Sequence, residues 1–199
     1  WKLTKTGNQY YYQDRKFKIK LNTKNVYSKG MFENVCLAIK VALDLNIDKK
    51  VIQKALPFLS FEGRFQYLNK GKIKNRLNRN ELIMIDGAHA TADAQNLASY
   101  LKKIKIPKYG IWAMTKNKEP DLFIKQLKGV FKKIITMPID NEVNSVSAQE
   151  LYKVATENKF NVEKSDNFAQ ALKKISSKEK KLIVCFGSLY NCGNILNKN

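Results

Sequence analysis

From Gly63-Arg64 to the C-terminus, short apolar runs alternate with segments whose apolar residues recur at helical spacing. This alternation constrains the fold more than any other feature of the chain. The apolar runs fall at 81–86, 109–114, 133–137 and 181–186, and helices are expected at 91–104, 120–131, 148–158 and 167–176. One of these helices carries Ala94, Leu97, Ala98, Leu101 and Ile104 on a single stripe. Continuously apolar strands separated by one-sided helices predict a largely parallel sheet covered on both faces. The expectation for 63–199 is therefore an α/β domain of Rossmann-like type with a mostly parallel sheet.

Residues 1–62 follow a different pattern. Tyr10-Tyr11-Tyr12, a turn around Asp14-Arg15 and strict alternation over 17–21 predict a hairpin with one buried face. An amphipathic helix is expected over 31–46, with Phe32, Val35, Cys36, Ile39 and Leu43 on its apolar side. A second, shorter helix follows Asp48 as N-cap, places Val51, Ile52, Ala55 and Leu56 on one face, and stops near Pro57. These elements read as a fragment with strands and helices, with a boundary near 61–64. The first residue is Trp1 rather than methionine, which points to processing or to an excerpt from a longer chain.

Composition removes several function classes. No apolar run approaches the ~20 residues that cross a bilayer, which argues against a membrane partner. The three cysteines, Cys36, Cys185 and Cys192, are widely spaced and form no Cys-x-x-Cys pair. That argues against a disulfide framework or zinc site and fits a reducing, cytoplasmic setting. The net charge of +20 suggests an anionic partner, but only Arg15, Arg64, Arg76 and Arg79 are arginines, and the lysines are spread along the chain. This distribution argues against nucleic acid, and the densest cluster, 70–79, is expected to be a connecting loop or hairpin.

In a sheet of this kind the ligand edge collects the loops that follow the parallel strands. Four such loops carry polar or glycine-rich material: Asp86-Gly87-Ala88-His89, the segment 115–120, the segment 138–145, and Gly187-Ser188-Leu189-Tyr190. His89 is the only histidine, so a catalytic triad or a multi-histidine metal centre is excluded. Gly187-Ser188 precedes a helix, where a hydroxyl and free backbone N–H groups favour an anion; capping of that helix by Ser188 explains the same residues. No G-x-x-x-x-G-K-[ST] phosphate loop and no G-x-G-x-x-G fingerprint occur. The chain is equipped to bind an anion but not to react it unaided.

Taken in order, Gly63-Arg64, Asp86-Gly87-Ala88-His89, Asn117-Lys118-Glu119-Pro120 and Gly187-Ser188-Leu189-Tyr190 resemble the folylpolyglutamate synthase/dihydrofolate synthase family of Mur-ligase-like enzymes. The resemblance spans essentially the whole chain but only the later part of a family member. It implies a Rossmann-like C-terminal Mur-ligase-type domain over 63–199, preceded at 1–62 by the tail of a central ATP-binding domain. The implied reaction is ATP-dependent amide formation between a folate carboxylate and glutamate through an acyl phosphate, by a protein that is monomeric when full-length. The resemblance gives Asn34, Arg64 and Asp86 to ATP, and His89 and Ser188 to the incoming glutamate. It assigns the phosphate loop and the Mg2+ ligands to a part outside this chain, so the chain is expected to be inactive alone.

The sequence departs from the family pattern at several points. Ser28, Gly30 and Met31 stand where glycine, histidine and glutamine precede the position of Asn34, and Ala90 and Thr91 replace an asparagine and a proline after His89. The alternatives are an inactive truncated remnant of such a ligase, favoured by these departures, and a basic nucleic-acid-binding module.

Overall fold

A computed structural model describes residues 1–199 and divides them into two compact units, Trp1–Phe61 and Glu62–Asn199. In the first unit β1 (Lys2–Thr6), β2 (Gln9–Gln13) and β3 (Lys18–Lys20) form an antiparallel sheet in the order β1-β2-β3. Asp14 shapes the second turn, its Oδ1 accepting from the amides of Lys16 and Phe17 at 2.8 and 2.6 Å. Helix α1 (Lys29–Asp44) is capped by Ser28 and buries Phe32, Val35, Cys36 and Ile39. It meets the sheet through Phe32, whose ring stacks on Tyr10 at 4.2 Å.

Helix α2 (Lys49–Ala55) is capped by Asp48 and runs into a 3₁₀ turn at Leu56–Phe58. Only half of its expected apolar face is covered. Ile52 and Leu56 are buried, while Val51 is 57% exposed and Ala55 is also exposed. Val51 and Ala55 line an open apolar groove of about 350 Å³ with Ala38, Ile47 and Phe61. The helical period marks a face as apolar; whether it is covered depends on what else packs there.

The second unit is a six-stranded sheet with helices on both faces. Its elements are β4 (Gln66–Tyr67), α3 (Lys72–Arg76), β5 (Glu81–Asp86), α4 (Thr91–Leu101), β6 (Lys108–Trp112), α5 (Pro120–Lys125), β7 (Lys133–Thr136), α6 (Ala148–Glu157), β8 (Val162–Lys164), α7 (Phe168–Ile175), β9 (Lys181–Phe186) and α8 (Leu189–Asn197). The order is β4-β5-β9-β6-β7-β8; β4 is antiparallel and the rest are parallel. Ile83, Ile85, Ile111, Ile135, Ile183 and Cys185 alternate onto one face, where residues of α3, α7 and α8 join the same core. On the other face the rings of Trp112, Phe123 and Phe186 stack in one layer, with centroids 6.1–6.4 Å apart.

The four parallel strands expected from the sequence are present, and two further strands extend the sheet at its edges. β8 has only Val162 as apolar residue, because an edge strand needs no continuous apolar run. The cluster at 70–79 is not merely a loop or hairpin: it contains α3, anchored by buried Ile73, and its lysines project from a helical turn. At the amino end of the parallel strands, buried Glu81 and Lys181 face each other at 3.8 Å. Burial pushes the Glu81 carboxyl up, but hydrogen bonds from the Ser177 and Asn78 amides and from the Ser176 and Asn78 side chains outweigh it and hold it low. The polar chemistry at this end is satisfied internally; the opposite end is open.

Candidate functional site

The strands around β9 end level with one another, Asp86 and Trp112 both registering with Phe186. The chain therefore leaves β5, β9 and β6 at the same height, and their following loops meet over the carboxyl edge. Gly187 stands at φ +108, directly against the Ala113 carbonyl of the β6 loop. This close approach lets Ser188 start α8 at the edge. Ser188 is buried, and its Oγ caps α8 by accepting from the Tyr190 amide at 3.1 Å.

Asp86 ends β5 with 1% of its surface exposed. Its Oδ2 accepts from the Phe65 amide and its Oδ1 from the Ala88 amide, each at 2.8 Å. Phe65 is a non-glycine residue at φ +47 and Gly63 lies at φ +66, so the Gly63–Phe65 segment is a strained turn that needs external support. Asp86 and the 2.6 Å bond from the Gly87 amide to the Gly63 carbonyl provide it. Burial pushes the Asp86 carboxyl up to about 6, against the opposing effect of its two amide bonds and of Arg64. Behind this turn, burial also pushes the Cys192 thiol up to about 12, so Cys192 packs as a small apolar residue.

The supported turn presents Arg64 beside the β5 loop. Its Nη1 is 3.8 Å from Asp93 Oδ2, and the same carboxylate oxygen lies 3.4 Å from the His89 amide and 4.0 Å from His89 Nδ1. His89 Nδ1 is 2.8 Å from the Gly87 carbonyl, an acceptor, so that nitrogen carries the hydrogen and Nε2 is left available. Asp93 is the residue that motif reading missed. Its signal was local: it follows His89 by four residues, in the first turn of a helix whose N-cap is Ala90.

Ala90 makes no capping bond, so α4 begins without a side-chain cap. Ala90→Asn should accept from a free amide of the first turn and raise stability by about 1 kcal/mol. Thermal unfolding would show this as a rise of about 2–4 °C; no rise would mean that these amides are already satisfied.

A cavity of about 290 Å³ opens over the edge, lined among others by His89, Thr115, Asn117, Lys118, Glu142 and Ser188. The two outer loops that build its wall are fastened together. The Lys116 amide donates to the Asn144 carbonyl and the Val146 amide to the Met114 carbonyl, both at 2.8 Å, beside a Thr115–Ser145 bridge. One cation, one carboxylate, an imidazole and several hydroxyl and amide groups suit a small zwitterionic ligand with more than one carboxylate. No group of three His, Cys, Asp or Glu side chains comes together in a way that could hold a metal ion. Arg64, Asp86, His89 and Ser188 thus converge on one edge. Asn34 lies exposed on α1 in the other unit, at its apolar groove.

A profile of the family described as dihydrofolate synthetase, C-terminal domain, matches residues 69–198. The match includes Asp86, His89 and Ser188 and begins just after Arg64. No curated protein sequence gives a match. Among solved structures the chain is similar to E. coli FolC in complex with DHPP and ADP, with a TM-score of 0.76 and 17% identity over 98% of this chain and 44% of that one. It is similar to the Mycobacterium tuberculosis folylpolyglutamate synthase complexed with ADP and AMPPCP (TM-score 0.73, 18% identity, 86% of this chain and 40% of that one). A bifunctional folylpolyglutamate synthase/dihydrofolate synthase with Mn, AMPPNP and L-glutamate bound is also similar (TM-score 0.75, 15% identity, 98% and 45%). The chain spans less than half the length of each of these proteins. No helix is long and apolar enough to cross a membrane.

Proposed function

Because the chain belongs to the family of dihydrofolate synthetase C-terminal domains, we propose that it is the C-terminal portion of an ATP-dependent folylpolyglutamate synthase/dihydrofolate synthase-like ligase. In this reading it completes the ATP site and holds glutamate for amide formation on a folate carboxylate. The observation that carries the reading is the junction of Arg64 and His89 at one sheet edge, beside a cavity suited to a dicarboxylic amino acid.

Each side of the junction has its own chemistry. The Arg64 guanidinium, about a third exposed and held only loosely by Asp93, retains donors for phosphate oxygens. Asp86 serves the nucleotide side by fixing the turn that carries Arg64. His89 and Ser188 serve the glutamate side, with Lys118 placed for a carboxylate and Glu142 for the ammonium. ATP supplies the phosphoryl group that activates the folate carboxylate. The donor set here does not fit a resident magnesium site, which belongs with the phosphate loop in the remainder of the ligase.

Residues 1–61 are read as the tail of the central domain, and Asn34 as a residue for ATP. The exposed apolar surface of this unit supports that reading: eight of the thirteen large exposed hydrophobic side chains fall within it. Three free, buried cysteines suit a cytoplasmic, reducing setting.

The test joins the chain to a phosphate-loop-bearing N-terminal portion and reads kinetics. Arg64→Ala should raise the KM for ATP by about 10-fold or more and leave that for glutamate nearly unchanged; His89→Ala should do the reverse. Equal loss on both substrates would mean that these residues serve folding or closure. The chain alone should form no amide from ATP, glutamate and a folate, and detectable product would overturn that expectation.

A further inference from the structure

Asp93 has no counterpart among the motif residues, yet one of its oxygens lies within 4.0 Å of both sides of the site. It stands in the first turn of α4, where a carboxylate is favoured by the free amides of the helix start. With Ala90 supplying no cap, Asp93 reaches back past the N-cap to the His89 amide at 3.4 Å. The same Oδ2 is 3.8 Å from Arg64 Nη1 and 4.0 Å from His89 Nδ1. Neither contact is tight, and all three side chains are about one-third exposed. Such a pair is attractive but easily exchanged for a better one.

We propose that Asp93 is a positioning residue coupling the phosphate side of the site to the amino-acid side, its carboxylate shared between Arg64 and His89 until an incoming anion takes Arg64. The proposal rests on the reading of Arg64 as the phosphate partner. The physical reason is competition. Phosphate oxygens and Asp93 are alternative anions for one guanidinium, and phosphate offers more charge and bidentate geometry. Once Arg64 turns to phosphate, Asp93 keeps the His89 amide as its partner and settles onto it. That fixes the His89 loop at the mouth of the cavity. The coupling is reciprocal, so a ligand that draws Asp93 toward His89 also frees Arg64.

His89 is the only histidine of the chain, so its ring signals are unambiguous in NMR spectra. Inorganic tripolyphosphate would be titrated into the 199-residue chain while following the His89 ring and the Arg64 side-chain N–H, with affinity measured by calorimetry. In the native chain both signals should move together. In Asp93→Asn, Arg64 should still respond, His89 should not, and affinity should rise about threefold because the competing carboxylate is gone. Asp121→Asn removes the same charge from an exposed pair with Lys125 on α5 and should leave affinity unchanged. Arg64→Gln should abolish the gain in the Asp93→Asn background. Equal tightening by Asp93→Asn and Asp121→Asn, or an undiminished His89 response in Asp93→Asn, overturns the coupling while leaving the phosphate role of Arg64 intact. No Arg64 response in the native chain overturns that role and the coupling with it.

Discussion

Asp86→Ala is expected to destabilise the second unit by about 3 kcal/mol and to abolish any anion response at Arg64. The carboxylate holds the Phe65 and Ala88 amides, and alanine leaves both donors buried without a partner, each costing about 1–3 kcal/mol. The Gly63–Phe65 turn, with positive-φ positions on either side of Arg64, then keeps only the Gly87 amide on the Gly63 carbonyl and the bond from the Gly63 amide to Gln66 Oε1. Asp86→Asn removes the charge together with one of the two amide bonds, since a carboxamide offers one acceptor oxygen where the carboxylate offers two.

The pH dependence has a definite sign. Burial raises the Asp86 carboxyl from 3.8 to about 6, so the folded state binds a proton that the unfolded chain releases between these values. Stability contributed by this residue is therefore fully present below about pH 4 and falls by about 3 kcal/mol as pH rises through 6. The deficit of Asp86→Asn relative to the native chain should be largest near pH 4 and shrink by that amount toward pH 7. Urea unfolding in a Trp1→Phe background would report it through Trp112, then the only tryptophan. A deficit that stays constant from pH 4 to 7 would show that Asp86 is not desolvated as its surroundings imply.

What was legible in the sequence follows from where burial imposes a pattern. β9, paired on both sides, and its neighbours β5 and β6 each open on a charged residue and continue as an apolar run, so they stand out against a lysine-rich background. β4 and β8 are edge strands of two and three residues, with no covered face to mark them. The loops at the carboxyl edge were legible as polar segments after apolar runs, which is how Asp86, His89 and Ser188 could be singled out. Spacing gave no warning that Asp86 would spend both oxygens on its own backbone, because that depends on β4 returning antiparallel to lay the Gly63–Phe65 turn against the end of β5. Asp93 was hidden for the same reason. Its proximity to His89 is local, but its proximity to Arg64 exists only after the turn has closed. In the first unit the helical period placed Val51 and Ala55 with Ile52 and Leu56; all four line the groove, and only packing distinguishes the buried pair from the exposed pair.

The glycine at the start of α8 should prove the least replaceable small residue of the second unit. Gly187 lies at φ +108, where an L side chain is strained by about 1–3 kcal/mol. An added Cβ would strike the Ala113 carbonyl oxygen and approach Trp112 Cδ1 at 2.8 Å and Met114 Cγ at 2.9 Å. The carbonyl is backbone, so relief requires β6 or α8 to move. Overpacking of this kind adds about 1–3 kcal/mol. Gly187→Ala is therefore expected to lose roughly 2–6 kcal/mol in total and to shift Ser188 away from the cavity. Two other glycines separate the contributions. Gly129 also has positive φ, +74, but a Cβ there meets nothing within 4 Å, so Gly129→Ala should lose about 1 kcal/mol from backbone strain alone. Gly193 lies within α8 with open space around it, and Gly193→Ala should stabilise by about 0.5–1 kcal/mol. Chemical denaturation of the three variants should give that order. If Gly187→Ala unfolded no more readily than Gly129→Ala, the approach of α8 to the β6 loop would be loose. Ser188 would then be placed by its own helix rather than by the sheet edge.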